Sequence, residues 1–130
     1  MVDSTRCATG KIYICPYCPS VVSHAKPKEF RHRHYLGDDP VVLFIARQIP
    51  EKGYHPLTLS AQHVWKKYPQ TRFVFIGPTS SDSRAFFQRS SRSAYSKFGE
   101  VSDLDKCSAL AACDIFCLPS SPGKFTGWDI

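Results

Sequence analysis

Apolar residues run without a break from residue 41 to residue 46, the clearest element signal in the chain. Turn-forming residues bound this run, with Gly37 and Pro40 before it and Pro50 after it. A short apolar run between such residues is typical of a strand buried on both faces, as in a parallel sheet. The pattern therefore predicts a first buried strand at residues 41–46.

A helix is predicted to follow at residues 56–68, with Pro56 in its first turn and Pro69 preventing its continuation. Residues 71–77 are rich in β-branched and aromatic side chains, which predicts a second buried strand. Two such strands around one helix are expected to be parallel and joined by a right-handed crossover. The helix is predicted to bury one apolar stripe: Leu57, Ala61, Val64, Trp65 and Tyr68.

The alternation continues to the end of the chain. A weaker helix is predicted at residues 83–92 and a short strand at residues 95–99, although the apolar alternation of that strand is poor. Ser102 is a helix-capping residue type and predicts a helix at residues 103–112, and residues 115–118 predict a last buried strand. This order of elements predicts an α/β fold, a Rossmann-like parallel sheet with flanking helices.

The amino-terminal part lacks this alternation. A short strand is predicted at residues 11–15, and Pro16, Pro19 and Pro27 are expected to keep the following stretch irregular. We therefore expect an irregular arm and linker strand at residues 1–35 and a partial Rossmann-like domain at residues 36–130. Residues 125–130 contain no element that would cover the strand before them, which indicates a truncated domain.

Composition agrees with a globular domain. The chain has 130 residues and is 42% hydrophobic, as soluble proteins are. It lacks both the ~20-residue apolar run of a membrane-spanning helix and an apolar signal segment, so a cytoplasmic location is expected. Its net charge of +6 comes largely from basic runs at residues 24–34 and 84–97. These runs are expected to be solvated surfaces, because a nucleic-acid surface would interleave aromatic residues with the cations.

The six cysteines include one C-x-x-C pair, Cys15 and Cys18. A structural zinc site needs a second pair or histidines at matching spacing, which is missing, so a zinc-dependent nucleic-acid binder is only a distant alternative. Cys107, Cys113 and Cys117 lie among apolar residues and are expected to act as small core residues in a reducing compartment.

Two cations follow the first predicted strand. Arg47 comes directly after it, and Lys52 lies five residues later. Gly53 follows Lys52 and is expected to let the backbone approach a ligand closely. Parallel sheets bind ligands at the carboxyl ends of their strands, and an arginine with a nearby lysine suits a phosphate group. A pair of exposed surface cations beside Glu51 explains the spacing equally well. The chain contains neither a GxGxxG nor a GxxxxGK[ST] motif.

Other candidate groups have simpler explanations. Asp103 and Asp105 form an Asp-x-Asp pair that could hold a metal, but they follow Ser102 at a helix start, where capping accounts for them. His55 is placed at a helix start and His63 on a polar face, so neither is predicted to be a general base.

The ordered series of blocks resembles the nucleotide-sugar half of retaining glycosyltransferases of the GT-B fold, family four (glycosyl transferases group 1). The resemblance covers roughly residues 41–121. Each block alone is a weak signal, whereas their order and spacing together are specific. The matching blocks are residues 43–53, an amphipathic helix, and residues 73–77, 98–102 and 111–120.

The resemblance implies a fold and a set of site residues. Arg47 and Lys52 match the cations that hold the donor diphosphate, and Gly77 matches a glycine near the nucleotide. The turn that lines the base matches Gly99, Glu100 and Val101. Members of this family transfer a sugar from a nucleotide sugar with retention at the anomeric carbon, usually without a metal. Neither a cofactor nor a metal is therefore expected.

The chain departs from the family pattern in three places. Ala46 replaces the usual glycine before the arginine, which would crowd the donor if the backbone there needed a positive φ. No glutamate follows Glu100, although the family carries two in its donor site. The acceptor-binding domain, which normally precedes this half, is also missing. A non-catalytic remnant or interaction module is therefore the alternative function. The sugar, base and acceptor are not specified by the sequence.

Overall fold

The computed structural model describes residues 24–90 and 95–121, which form alternating helices and strands. A 3-10 helix at Pro50–Lys52 precedes the second α-helix. The remaining elements are α1 (Pro27–Arg33), β1 (Val41–Ile45), α2 (Tyr54–Lys67), β2 (Arg72–Ile76), α3 (Ser81–Arg89), β3 (Tyr95–Phe98), α4 (Asp103–Ala112) and β4 (Ile115–Phe116).

The four strands form one parallel sheet in the order β3-β2-β1-β4. The central strand β1 pairs with β2 along its whole length, from Val41 opposite Arg72 to Ile45 opposite Ile76. The pairing of β4 with β1 is short and involves only Val42 and Leu43 of β1. The predicted α/β, Rossmann-like sheet with flanking helices is confirmed, and the crossovers bring all four strand ends to one edge of the sheet.

Apolar side chains pack on both faces of the sheet. On one face, α2 and α3 bury an aromatic cluster around Phe44, Phe75 and Trp65. On the other face, α1 and α4 bury an aliphatic cluster that includes Phe30, Leu43 and Ile76. β1 and β2 contribute to both clusters, which is why their sequences are almost continuously apolar.

Local capping signals explain where the later helices begin. The Ser102 hydroxyl accepts a hydrogen bond from the Asp105 N–H at 3.2 Å, and α4 has the predicted bounds. Ser80 and Ser83 form a reciprocal capping box at the start of α3. The stripe predicted for α2 is wrong at its last member, because α2 ends at Lys67 and Tyr68 is 56% exposed.

The irregular stretch predicted after Pro27 is wrong, since α1 begins at that residue. Proline has no N–H to lose in the first helical turn and its φ suits a helix, so Pro27 starts this helix rather than preventing it. α1 packs on α4, where the Lys26 N–H donates to Ser108 Oγ at 3.0 Å and Arg31 Nη2 donates to the Ala112 carbonyl at 2.7 Å. α1 is therefore part of the sheet domain.

The last predicted strand exists, but the expectation that it is buried is wrong. Ile115 is 58% exposed and Phe116 is 47% exposed. A strand is buried only where other elements cover it, and β4 lies at the edge of the described sheet. The predicted strand at residues 11–15 and the Cys15–Cys18 pair lie outside the described residues. Within the described ranges no helix is both long and apolar enough to cross a membrane.

Candidate functional site

Residues 46–53, here called the cation loop, connect the central strand β1 to α2. The loop is compact, because the Ile49 N–H donates to the Arg47 carbonyl at 2.9 Å and the Lys52 N–H donates to the Ile49 carbonyl at 3.0 Å. The 3-10 helix then carries Lys52 to the start of α2. Arg47 and Lys52 therefore lie at the two ends of one short, ordered turn at the carboxyl end of β1.

The two cations are open to a ligand. Arg47 is exposed and Lys52 is half-buried. Neither side chain forms a hydrogen bond or an ion pair with any other residue that the structure describes, and Glu51 pairs with no described cation. By contrast, Arg31 and Arg33 both contact carboxylates, Asp114 at 3.2 Å and Asp105 at 3.0 Å. These contacts agree both with an anion site and with the alternative of a pair of surface cations beside Glu51, since Arg47 is exposed and Lys52 is half-buried.

Gly53 ends the cation loop, but its neighbour is protein. Its φ is +91°, and a Cβ there would lie 2.0 Å from the Pro119 carbonyl oxygen. The Ser121 N–H also donates to the Glu51 carbonyl at 3.0 Å. Sequence reasoning assigned Gly53 to close approach of a ligand, whereas the structure uses it to pack the cation loop against the segment that follows β4.

Gln48 is the site residue that sequence reasoning missed. It is 1% exposed, and its Nε2 donates to the carbonyls of Gly77 and Phe98, each at 3.1 Å. Its backbone joins the same network, because its N–H donates to the Pro78 carbonyl at 2.9 Å and its carbonyl accepts from Ser80 Oγ at 2.7 Å. No local signal marks it, since a glutamine in a polar loop is ordinarily exposed.

Gly77 lies where β2 ends, close to the cation loop. Its φ is +141°, and a Cβ there would lie 1.9 Å from the Ala46 carbonyl oxygen, so only glycine fits. Ala46 itself does not need glycine, because Tyr35 is the one non-glycine residue with a positive φ in the described ranges. The strain expected if Ala46 required a positive φ is therefore absent.

The turn after β3 contains the three residues predicted to line a base. Gly99 and Glu100 are exposed, and Val101 is half-buried against the aliphatic cluster. The Gly77 N–H donates to the Gly99 carbonyl at 3.1 Å, which joins this turn to the end of β2. The structure thus brings Arg47, Gly77 and the 99–101 turn to the same edge of the sheet.

A pocket of about 280 Å³ lies beside Gln48, between α3 and β3. Phe87 and two cations, Arg84 and Lys97, are among its lining residues. Arg84 Nη1 donates to Thr79 Oγ1 at 3.1 Å, and Lys97 Nζ lies 5.3 Å from the Phe87 ring centroid. Arg47 and Lys52 are not among its lining residues.

The remaining candidates have structural partners. Asp105 pairs with Arg33 at 3.0 Å and Asp103 with Lys106 at 3.7 Å. No cluster of three or more potential metal ligands occurs among the described residues.

His55 Nε2 lies 3.0 Å from Asp82 Oδ2, while burial and then the nearby Arg89 lower the pKa of His55. Its neutral form can donate this hydrogen bond. His63 is exposed on α2.

Two solved structures that were determined with bound nucleotides share this fold. HepE of Anabaena, determined with UDP, superimposes with a TM-score of 0.61 at 19% sequence identity. The superposition covers 78% of this chain and 30% of the HepE chain. The catalytic domain of starch synthase IV of Arabidopsis thaliana, determined with ADP and acarbose, superimposes with a TM-score of 0.52 at 24% identity over 72% of this chain and 22% of its own.

Sequence comparison gives the family. Phosphatidyl-myo-inositol mannosyltransferase of Mycobacterium tuberculosis is 30% identical over 95 residues, which are 72% of this chain. The chain spans 25% of that relative's length. The family described as glycosyl transferases group 1 matches residues 26–125, the range that contains every described helix and strand. The chain therefore belongs to the glycosyl transferases group 1 family.

Proposed function

We propose that this chain binds the nucleotide-sugar donor of a glycosyltransferase, with Arg47 and Lys52 holding the donor diphosphate. The observation that carries the proposal is the pair of cations on one ordered loop at the end of the central strand, neither paired with a described residue. An unpaired arginine and lysine at the carboxyl end of a parallel strand suit an anionic ligand.

The two side chains have different roles in this proposal. The guanidinium of Arg47 holds two phosphate oxygens at once, and the ammonium of Lys52 places a point charge on the same diphosphate. When the sugar leaves, negative charge develops on the nucleoside diphosphate, and the same cations stabilise it. They supply the positive charge that a metal would otherwise supply, so the proposed reaction needs no metal. Retention at the anomeric carbon is proposed from the resemblance to retaining enzymes of the family.

The rest of the nucleotide is proposed to extend along the strand ends from the cation loop. Gly77 lies near the nucleotide at the end of β2, and the turn of Gly99, Glu100 and Val101 lines the base. Complexes of HepE with UDP and UDP-glucose support a nucleotide-sugar ligand for this fold. Because the chain spans a quarter of the curated relative, donor binding is proposed for the chain and sugar transfer, to an unidentified acceptor, for the whole protein.

Isothermal titration of the chain with UDP, GDP, ADP and their sugar conjugates tests the proposal. Arg47→Ala is expected to weaken the preferred nucleotide at least tenfold, because a charge-assisted hydrogen bond contributes about 1.5–3 kcal/mol. Lys52→Ala is expected to weaken it several-fold. Lys66→Ala is the matched control, since Lys66 is an exposed cation in the last turn of α2, roughly 20 Å along the helix from Lys52.

Two results contradict the proposal. One is a folded wild-type chain, verified by circular dichroism, that binds none of these nucleotides, which would favour the non-catalytic interaction module. The other is Arg47→Ala binding as tightly as Lys66→Ala, which would move the anion site away from the cation loop.

A further inference from the structure

We propose that Gln48 is a positioning residue of the donor site, whose buried carboxamide fixes Arg47 relative to the loops that follow β2 and β3. The inference rests on the proposed function, because it assumes that Arg47 binds the donor. It concerns a residue that neither touches the donor nor carries charge.

The hydrogen bonds of Gln48 reach two neighbouring strands. Nε2 uses its two N–H groups on the carbonyls of Gly77, which follows β2, and Phe98, which ends β3. The regular ladder between these strands ends at Ile76 opposite Phe98, so both carbonyls lie where strand pairing stops. The side chain of Gln48 therefore continues the connection between the strands beyond the sheet.

The backbone of Gln48 is tied to the same place. Its N–H and its carbonyl are hydrogen-bonded to Pro78 and Ser80, both in the loop after β2. Arg47 is the preceding residue, so four hydrogen bonds fix the chain directly beside the proposed donor-binding cation. Arg47 needs this support, because its own side chain contacts no described partner and its position depends on its backbone.

The opposite end of the cation loop is held differently. Gly53 packs on the backbone of Pro119, and no described side chain bonds across that contact. Gln48 is thus the single described side chain that links the cation loop to the carbonyls ending both β2 and β3. An apolar residue of the same volume would fill the space without supplying the two donors.

A positioning role and a purely structural role of the Gln48 carboxamide predict different donor affinities when the carboxamide is removed. If the carboxamide only stabilised the fold, its removal would lower the melting temperature and leave the affinity of folded molecules unchanged. If it positions Arg47, its removal also weakens donor binding, because part of the binding free energy then goes into ordering the loop.

The test compares Gln48→Met with Ser108→Ala. Methionine has a similar length and volume but no donor, so both carbonyls lose a partner. Ser108 lies on α4, away from the strand ends, and is 3% exposed; the loss of its hydroxyl leaves the Lys26 N–H before α1 without its partner. Both variants are expected to melt at a lower temperature. Titration with UDP below both transitions is expected to show five- to tenfold weaker binding for Gln48→Met and wild-type affinity for Ser108→Ala.

Amide hydrogen exchange gives a readout that needs no ligand. In Gln48→Met, the Gly77 N–H, which donates to the Gly99 carbonyl, is expected to exchange at least tenfold faster. The Cys117 N–H, which donates to the Leu43 carbonyl at 2.8 Å on the other side of β1, is expected to keep its wild-type rate. Equal acceleration at both amides would indicate general destabilisation and overturn the positioning role.

The two readouts separate the proposals. Wild-type protein that binds no nucleotide contradicts the proposed function, while exchange at Gly77 still tests Gln48. Tight UDP binding by both wild type and Gln48→Met overturns the role of Gln48 and leaves the proposed function intact. Should Gln48→Met fail to fold, Gln48→Asn serves instead. Its amide keeps the donors but is one methylene too short to reach both carbonyls, and it is expected to weaken binding at least twofold.

Discussion

The two edge strands of the sheet differ in burial, and the difference is the opposite of what the apolar content of their sequences predicts. β3 has the sequence Tyr-Ser-Lys-Phe, with little apolar character, yet Tyr95 is 7% exposed and Phe98 is half-buried. β4 begins a run of Ile-Phe-Cys-Leu, yet Ile115 and Phe116 are 58% and 47% exposed. The difference lies in what covers each strand, and the apolar content of the strand itself does not predict it.

β3 is covered from both faces. On one face, the ring of Tyr95 packs in the aromatic cluster, 5.2 Å from Trp65, and its hydroxyl donates to the Thr58 carbonyl at 3.2 Å. On the other face, the ring of His34 lies 4.4 Å from the ring of Phe98. β4 pairs with two residues of β1 and keeps its large side chains exposed. Burial of an edge strand thus depends on helices that are distant in the sequence.

The largest expected effect is the loss of the Tyr95 ring. Tyr95→Ala removes a buried ring from the aromatic cluster and is expected to cost about 3 kcal/mol or more of the free energy of unfolding. Phe116→Ala, the same kind of truncation on β4, is expected to cost less than about 1 kcal/mol because half of that side chain is already in water. Urea denaturation of both variants measures the difference, and equal losses would contradict the contrast between the edges.

Local signals predicted the elements well, and tertiary contacts caused the errors. The start of α4 follows from Ser102, whose hydroxyl caps the helix by accepting a hydrogen bond from the Asp105 N–H. The predicted irregular stretch at α1 is wrong because proline, which breaks a helix interior, is well suited to a first helical turn, where Pro27 lies. The burial of β4 was wrong because the sequence of a strand does not say which elements cover it.

The candidate site was predictable to a similar extent. The position of Arg47 at the end of β1 follows from the apolar run before it, and strand ends meet at one edge in any parallel sheet. The role of Gln48 could not be predicted, because its partners lie 29 and 50 residues away along the chain. A glycine at position 53 indicates that something approaches the backbone closely there. The sequence does not show that this neighbour is Pro119 rather than a ligand.

The second largest effect is expected at the glycines in the loops that follow the strands. Gly77→Ala places a Cβ against the Ala46 backbone in the centre of the sheet and is expected to cost about 2 kcal/mol or more. Gly53→Ala meets Pro119 beside the exposed edge, where the chain can shift, so a smaller loss is expected. Gly99→Ala is the control, since nothing lies within 4 Å of its Cβ position. Thermal unfolding of the three variants gives the order, and a Gly99 loss as large as the Gly77 loss would contradict it.

The smallest expected effect is a pH dependence at the covered edge, where His34 packs between Phe30 and Phe98. Burial, and then the adjacent Arg33, lower the pKa of His34, while Asp105 opposes them weakly. The folded state therefore binds this proton less readily than the unfolded state, whose histidine pKa is about 6.5. It follows that the contribution of His34 to stability is full above that value and is lost as the pH falls toward the lowered pKa.

His34→Phe keeps a ring between Phe30 and Phe98 but cannot titrate. Melting temperatures between about pH 5 and pH 8 are expected to fall less steeply toward acid in this variant than in the wild type. A His34→Phe slope equal to that of the wild type would mean that the cover of β3 does not depend on the charge of this ring. In that case, protonation of His34 would add nothing to the difference between β3 and β4 that packing already produces.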